Sequence, residues 1–180
     1  MQINKPASCK SVRSFYAQTL SIGDLYGGKI CAALDRQHPR DLFDVYVLFN
    51  NEGITEDIRK AFLVYLISHP RPIIELLNPT LKDFSGVFEH EFKGMTTTQI
   101  ELDDLVQARL ELIHFVKYSL SERERQFLLS VKQIKPRWEL LELQHIKNLP
   151  AVQWKLLNLK RMDKAKHSKA VEKLRSFLEI

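Results

Sequence analysis

The residues best suited to chemistry lie in one short run, Gly27-Gly28-Lys29-Ile30-Cys31-Ala32-Ala33-Leu34-Asp35-Arg36-Gln37-His38-Pro39-Arg40-Asp41-Leu42-Phe43-Asp44. It holds three cations (Lys29, Arg36, Arg40) and three carboxylates (Asp35, Asp41, Asp44). Lys29 and Arg36 are two helical turns apart, so they share a face. Asp41 and Arg40 fall three and four residues before Asp44, so these also face together on a following helix. Cations at a helix end suit a nucleoside triphosphate, whose charge they neutralise. Nearby carboxylates suit a Mg²⁺ ion or the orientation of a base and ribose. An equally direct reading pairs Arg36 with Asp41 and Arg40 with Asp44, a charge network that pins two helices together.

The run needs two helices joined by a sharp bend, and the flanking residues supply one. Ser21 with Asp24 three residues on has the form of a capping box, opening a helix through Leu25, Tyr26, Ile30, Ala33 and Leu34. Pro39 disfavours helical geometry at His38 and suits the first turn of a second helix through Leu42, Val45, Tyr46 and Phe49. The bend is expected to present a cationic and an acidic edge to one solvent-reachable hollow. Gly27 and Gly28 in mid-helix cost roughly 1 kcal/mol each against Ala. They point to close helix packing or to close approach of a ligand. A Walker loop is excluded, because Ile30 stands where Ser or Thr must follow the Lys.

The rest of the chain reads mainly α. Thr55 caps a third helix. His69-Pro70-Arg71-Pro72 breaks the chain, and residues 73 to 95 read as short helices with turns at Asn78-Pro79 and Gly94. A longer helix runs through Leu102, Leu105, Ala108, Leu112 and Phe115. Ser121 with Glu124 forms a second capping box, and the charges from Ser121 to Arg125 read as a solvated helix start. Pro136 and Pro150 punctuate two further pieces, and residues 163 to 178 close the chain as an amphipathic helix. One strand is expected within Ser11–Leu20, where Val12, Phe15, Tyr16 and Thr19 favour it.

Composition bounds the rest. The 180 residues, 44% hydrophobic and 27% charged, are those of a globular chain. A chain of that length buries about 70% of its unfolded surface without staples. Two cysteines make neither a disulfide framework nor a zinc cluster and fit a reducing, cytoplasmic setting. Cys31 fits a small core residue better than a nucleophile. The histidines have no metal-ligand spacing. No apolar run reaches the ~18 residues of a membrane span, and the N-terminus lacks the apolar segment of a signal peptide. Lys132 to Arg175 contains 12 Lys/Arg against 4 Asp/Glu, on a remainder that is slightly acidic. Lys155, Lys160, Arg161, Lys164, Lys166 and Lys169 are therefore the candidate nucleic-acid contacts, with a solvated surface as the plain alternative. Trp154 reads as core packing, and becomes a stacking platform for a base only if exposed.

The run from Ser21 to Asp44, of form K-x3-A-L-x-R-x3-R-D-x2-D, resembles the third motif of the AbiEii/AbiGii nucleotidyltransferase toxins. Ser121-x3-Arg125-x-Phe127-Leu128 and Leu149-Pro150-Ala151-Val152-x-Trp154-Lys155-Leu156-x-Asn158-Leu159 resemble that family's C-terminal region. The resemblance implies a helical lobe following an α/β nucleotidyltransferase lobe, NTP and Mg²⁺ as substrate and cofactor, an acceptor such as tRNA, and a cognate antitoxin. It implies that Lys29 contacts the triphosphate and that Arg36 and Arg40 add charge. Asp41 and Asp44 become the motif carboxylates, with Asp44 the one in chemistry. The family's upstream glycine turn and D-x-D carboxylates have no counterpart before Lys29, where Asp24 is the single acidic residue. Residues 1–20 are thus expected to be a remnant strand or linker and 21–180 the helical lobe. Such a chain is the product of a shortened gene or a piece of a longer protein, inactive alone and needing no cofactor of its own. The competing reading, in a different class, is a non-catalytic helical module that binds nucleic acid or another protein.

Overall fold

The computed structural model describes residues 19–143 and 145–180. Among them the structure is helical and without strands. The strand expected within Ser11–Leu20 lies, up to residue 18, outside the described residues, and Thr19 and Leu20 are irregular. The helices are α1 (Ile22–Arg36), α2 (Pro39–Asn50), α3 (Glu56–Ser68), α4 (Ile73–Leu77), α5 (Ser85–Val87), α6 (Leu102–Tyr118), α7 (Glu122–Lys132), α8 (Pro150–Lys160) and α9 (Lys164–Leu178). A π-turn over Phe88–Phe92 continues α5, and two single 3₁₀ turns sit between α7 and α8.

Local chemistry accounts for most helix ends. Ser21 Oγ accepts from the Asp24 N–H at 3.1 Å, Thr55 Oγ1 from that of Ile58 at 3.3 Å, and Asp163 Oδ1 from that of Lys166 at 2.9 Å. Ser121 and Glu124 form both arms of a capping box, as do Glu101 and Asp104 at α6. The start of α7 is nevertheless not solvated, as the charge run suggested. Glu124 is buried and takes the Arg59 Nε of α3 at 2.7 Å, while Arg125 donates to the carbonyls of Leu120 and Leu178. Burial converts these charges from surface decoration into ties between α3, α7 and the end of α9.

The core runs continuously from α1 to α9. Phe62, Phe88, Phe127, Leu42, Leu48, Leu66 and Ile67 are essentially inaccessible at its centre. Helix α1 lies along α3, α2 packs on α6, and α8 packs on α3. The tight α1–α3 contact explains one glycine of the pair. A Cβ on Gly27 would come within 2.8 Å of the Phe62 N and 2.9 Å of the Ala61 C, both backbone atoms that cannot swing aside. At Gly28 it would make ordinary 3.5 Å contact with the Tyr65 ring. Gly27 therefore serves helix packing rather than ligand approach, and nothing steric requires Gly28.

Candidate functional site

The bend between α1 and α2 is held from beneath by a residue that motif reading passed over. Gln37 ends α1 in the left-handed conformation (φ 53°, ψ 36°), and its N–H bonds to the Ala33 carbonyl. That backbone is uncommon for a residue with a Cβ, and the side chain compensates. Gln37 is buried; its Nε2 donates to the Thr80 carbonyl, and its Oε1 accepts from the Lys82 N–H and from Arg109 Nη1. Arg109 also donates to the Lys82 carbonyl at 2.6 Å and lies over the Phe84 ring. Burial pushes the Arg109 pKa down, with Asp83 opposing. A sequence signal existed: Arg109 occupies a core position in the apolar stripe Leu105, Ala108, Leu112, Val116 of α6.

On the outer side of this bend the motif charges meet. Lys29 Nζ lies 2.5 Å from Asp44 Oδ2, joining mid-α1 to α2, with the two side chains 32% and 34% exposed. Arg36 Nη2 lies 2.7 Å from Asp41 Oδ1; Arg36 is largely exposed and Asp41 largely covered. Asp41 stands in the first turn of α2, where the helix dipole favours a carboxylate. His38 caps α2, its Nδ1 accepting from the Arg40 N–H, so its place in the turn accounts for it. The expected Arg40–Asp44 pair does not form, because Lys29 takes Asp44. Arg40 instead extends over the Phe88–Phe92 turn, with Nη2 3.4 Å from the Glu91 carbonyl and 3.7 Å from Met95 Sδ. Among the described residues it makes no ion pair.

Asp35, the third carboxylate, faces elsewhere. It takes Arg71 Nη1 at 2.5 Å and lies 3.6 Å from His69 Nε2. Burial lowers the His69 pKa, with Asp35 opposing, and Arg71's is raised by its bonds to Asp35 and Glu75. Cys31 is buried, its thiol pushed far up by burial and then by Asp35, so it is a core residue without nucleophilic character.

The motif edge is reachable by solvent, but it is not the expected hollow. The hollows that open nearby on the described surface, one of about 680 Å³ beside Ser21–Asp24, Ala61 and Leu149 and one of about 380 Å³ beside Trp154, are lined by other residues. Among the described residues no group of three or more His, Cys, Asp and Glu side chains is placed to hold a metal ion. Asp41 and Asp44 each already hold a cation of the chain. These residues do not fit a Mg²⁺ site, and no step below passes through one.

The basic C-terminal third divides. Lys160, Arg161, Lys164, Lys166 and Lys169 are exposed. Lys155 is not one of them: it is 7% exposed, and its Nζ donates to the carbonyls of His69 and Arg71 at 2.6 and 2.5 Å. It caps the end of α3, where helix carbonyls lack partners. Burial, then Lys132, pushes its pKa down to about 8, with Glu75 opposing. Its place on the inward face of α8, in register with Val152, Leu156 and Leu159, was the available sign. Trp154 departs in the other direction. It is exposed, not in the core.

A helical domain presenting interhelical ion pairs and a free arginine at a solvent-reachable helix bend is a charged-ligand surface rather than an enclosed catalytic pocket. Residues 4–158 match the family described as nucleotidyl transferase AbiEii toxin, type IV toxin–antitoxin system, and the chain belongs to that family. No curated protein and no solved structure matches it. The family carries with it a nucleotidyltransferase-like toxin role and an antitoxin partner. Among the described residues, no helix is long and apolar enough to cross a membrane.

Proposed function

We propose that this chain supplies the triphosphate-binding motif of a cytoplasmic nucleotidyltransferase toxin that moves a nucleotide from an NTP to an acceptor such as tRNA. The observation that carries the reading is the pairing of Lys29 with Asp44 and Arg36 with Asp41 on a solvent-reachable edge, inside the segment that matches the family. A partly exposed ion pair is a weak bond, worth up to about 1 kcal/mol. A triphosphate carrying several charges competes for its cation at little cost. Lys29 then exchanges Asp44 for phosphate oxygens, and Arg40 and Arg36 add charge and, for the guanidinium, two-pronged geometry. Asp44, released, accepts the proton of the acceptor hydroxyl as that oxygen bonds to the α-phosphorus and pyrophosphate leaves. Asp41, kept by Arg36 in the first turn of α2, positions that helix.

Carboxylates able to hold a divalent cation are lacking among the described residues, so this chain alone is expected to bind NTP without turning it over. Labelled NTP titrated into the chain tests the first half: binding must weaken on Lys29→Ala. Incubation with labelled NTP and total tRNA tests the second, and robust transfer by this chain overturns it. The non-catalytic module remains the second reading because the exposed lysines of α8 and α9 suit a polyanion whether or not chemistry follows.

A further inference from the structure

Helix α8 has two faces of opposite character. Val152, Lys155, Leu156 and Leu159 turn inward. Outward, Pro150, Gln153, Trp154, Leu157 and Lys160 line a hollow of about 380 Å³. Trp154 is 58% exposed, and Leu157 and Leu149 are more than one-third exposed. The chain's other tryptophan, Trp138, packs on Phe127 with ring centroids 6.0 Å apart. Leaving an indole in water forgoes one of the larger burial gains a side chain offers, so an exposed tryptophan in a hollow marks a place where something else covers it.

The surrounding charge says what. Between Glu142 and Asp163 the sequence holds no carboxylate. Arg161 follows Trp154 by seven residues and Leu157 by four, which places it on the outward face beside Lys160. Lys164, Lys166 and Lys169 continue from there into α9. All five are exposed, and among the described residues none is in an ion pair. Asp163, the nearest carboxylate, is occupied in capping α9. A protein helix docking here would find an apolar stripe that ends after Leu157 in a row of cations. A nucleic-acid strand has an aromatic face and an anionic backbone, which match both parts. Only unpaired bases offer their faces, so the strand is single.

We propose that the outward face of α8 binds single-stranded RNA, with one unpaired base stacked on Trp154 and the adjoining phosphates over Lys160 and Arg161. The inference rests on the transfer reading only in naming that strand as the acceptor. The test uses the full chain, without NTP, in a Trp138→Phe background that leaves Trp154 as the single indole. A fluorescein-labelled 12-nucleotide RNA of mixed sequence is titrated in, and Trp154 emission and RNA anisotropy are followed together. Binding is expected to quench Trp154. Trp154→Ala is expected to weaken binding roughly five- to hundredfold, and Trp154→Phe to retain most of it. Replacing Lys160 and Arg161 by Gln is expected to flatten the dependence of log affinity on log salt by about one unit. Absence of binding, absence of quenching, equal affinity of Trp154→Ala, or a 12-base-pair duplex bound as tightly as the single strand each overturns the proposal. A change in solution mass on Trp154→Ala also overturns it, since the face would then seat another protein copy. Failure here leaves the NTP titration untouched, and failure of that titration leaves this result standing.

Discussion

Changing Asp44 to Asn separates a ligand edge from a structural brace. The substitution removes one charge and leaves Lys29 Nζ, now 2.5 Å from Asp44 Oδ2, without its carboxylate. Both side chains are about one-third exposed, so water screens the pair. Two charges 4 Å apart interact by about 1 kcal/mol in water, and measured exposed pairs give 0.2–1 kcal/mol. Asp44→Asn and Lys29→Ala should therefore each cost no more than about 1 kcal/mol, or about 2–4 °C in Tm for a chain of this size. Their coupling in a double-mutant cycle should be of the same small order. Ligand binding should move oppositely in the two variants. Lys29→Ala removes a charge-assisted contact to phosphate and should weaken NTP binding roughly tenfold or more. Asp44→Asn removes the competitor for Lys29 and should leave NTP binding equal or tighter, while abolishing transfer in a reconstituted enzyme. Thermal melts of the wild type, both single variants and the double, beside NTP titrations, decide the matter. A fall of more than about 6 °C for Asp44→Asn with NTP affinity unchanged would refute the reasoning, because the pair would then be a brace and not an exchangeable site.

Other outcomes follow from the same geometry. Gly27→Ala should destabilise by about 1–2 kcal/mol despite alanine's better helix propensity, whereas Gly28→Ala should be neutral or stabilising by up to about 1 kcal/mol; chemical denaturation of the pair checks this. Glu124→Ala should cost about 3 kcal/mol, since it strips the cap of α7 and strands the Arg59 guanidinium. Lys155, with its pKa pushed down to about 8 in the folded chain against about 10.4 unfolded, binds fewer protons folded than unfolded across that interval. Its contribution to stability therefore rises with pH between about 8 and 10.4, and Lys155→Met should flatten the stability–pH profile there while lowering stability at pH 7 by uncovering the His69 and Arg71 carbonyls.

Local chemistry was legible without coordinates. The Ser21, Thr55 and Ser121 caps, the bend at His38-Pro39 and the amphipathic close of the chain each depend on residues a few positions apart, so their spacing specifies them. The pairing of Arg36 with Asp41 belongs here too, since five residues across one bend leave the guanidinium few other carboxylates. Everything that joins distant segments was not legible. Which of two cations takes Asp44 depends on the angle between α1 and α2, and that angle is set by Gln37 and by Arg109 seventy-two residues away. Gly27 needed the backbone of α3 beside it before its purpose could be stated. Lys155 and Trp154 are neighbours with opposite fates: one residue is a 100° turn around α8, and only the position of α3 beneath that helix decides which side is water. Residue types thus determined the helices and the inventory of charges. Packing determined which charges are ties, which are free, and which aromatic faces outward, because burial is a property of surfaces that meet and not of any single segment.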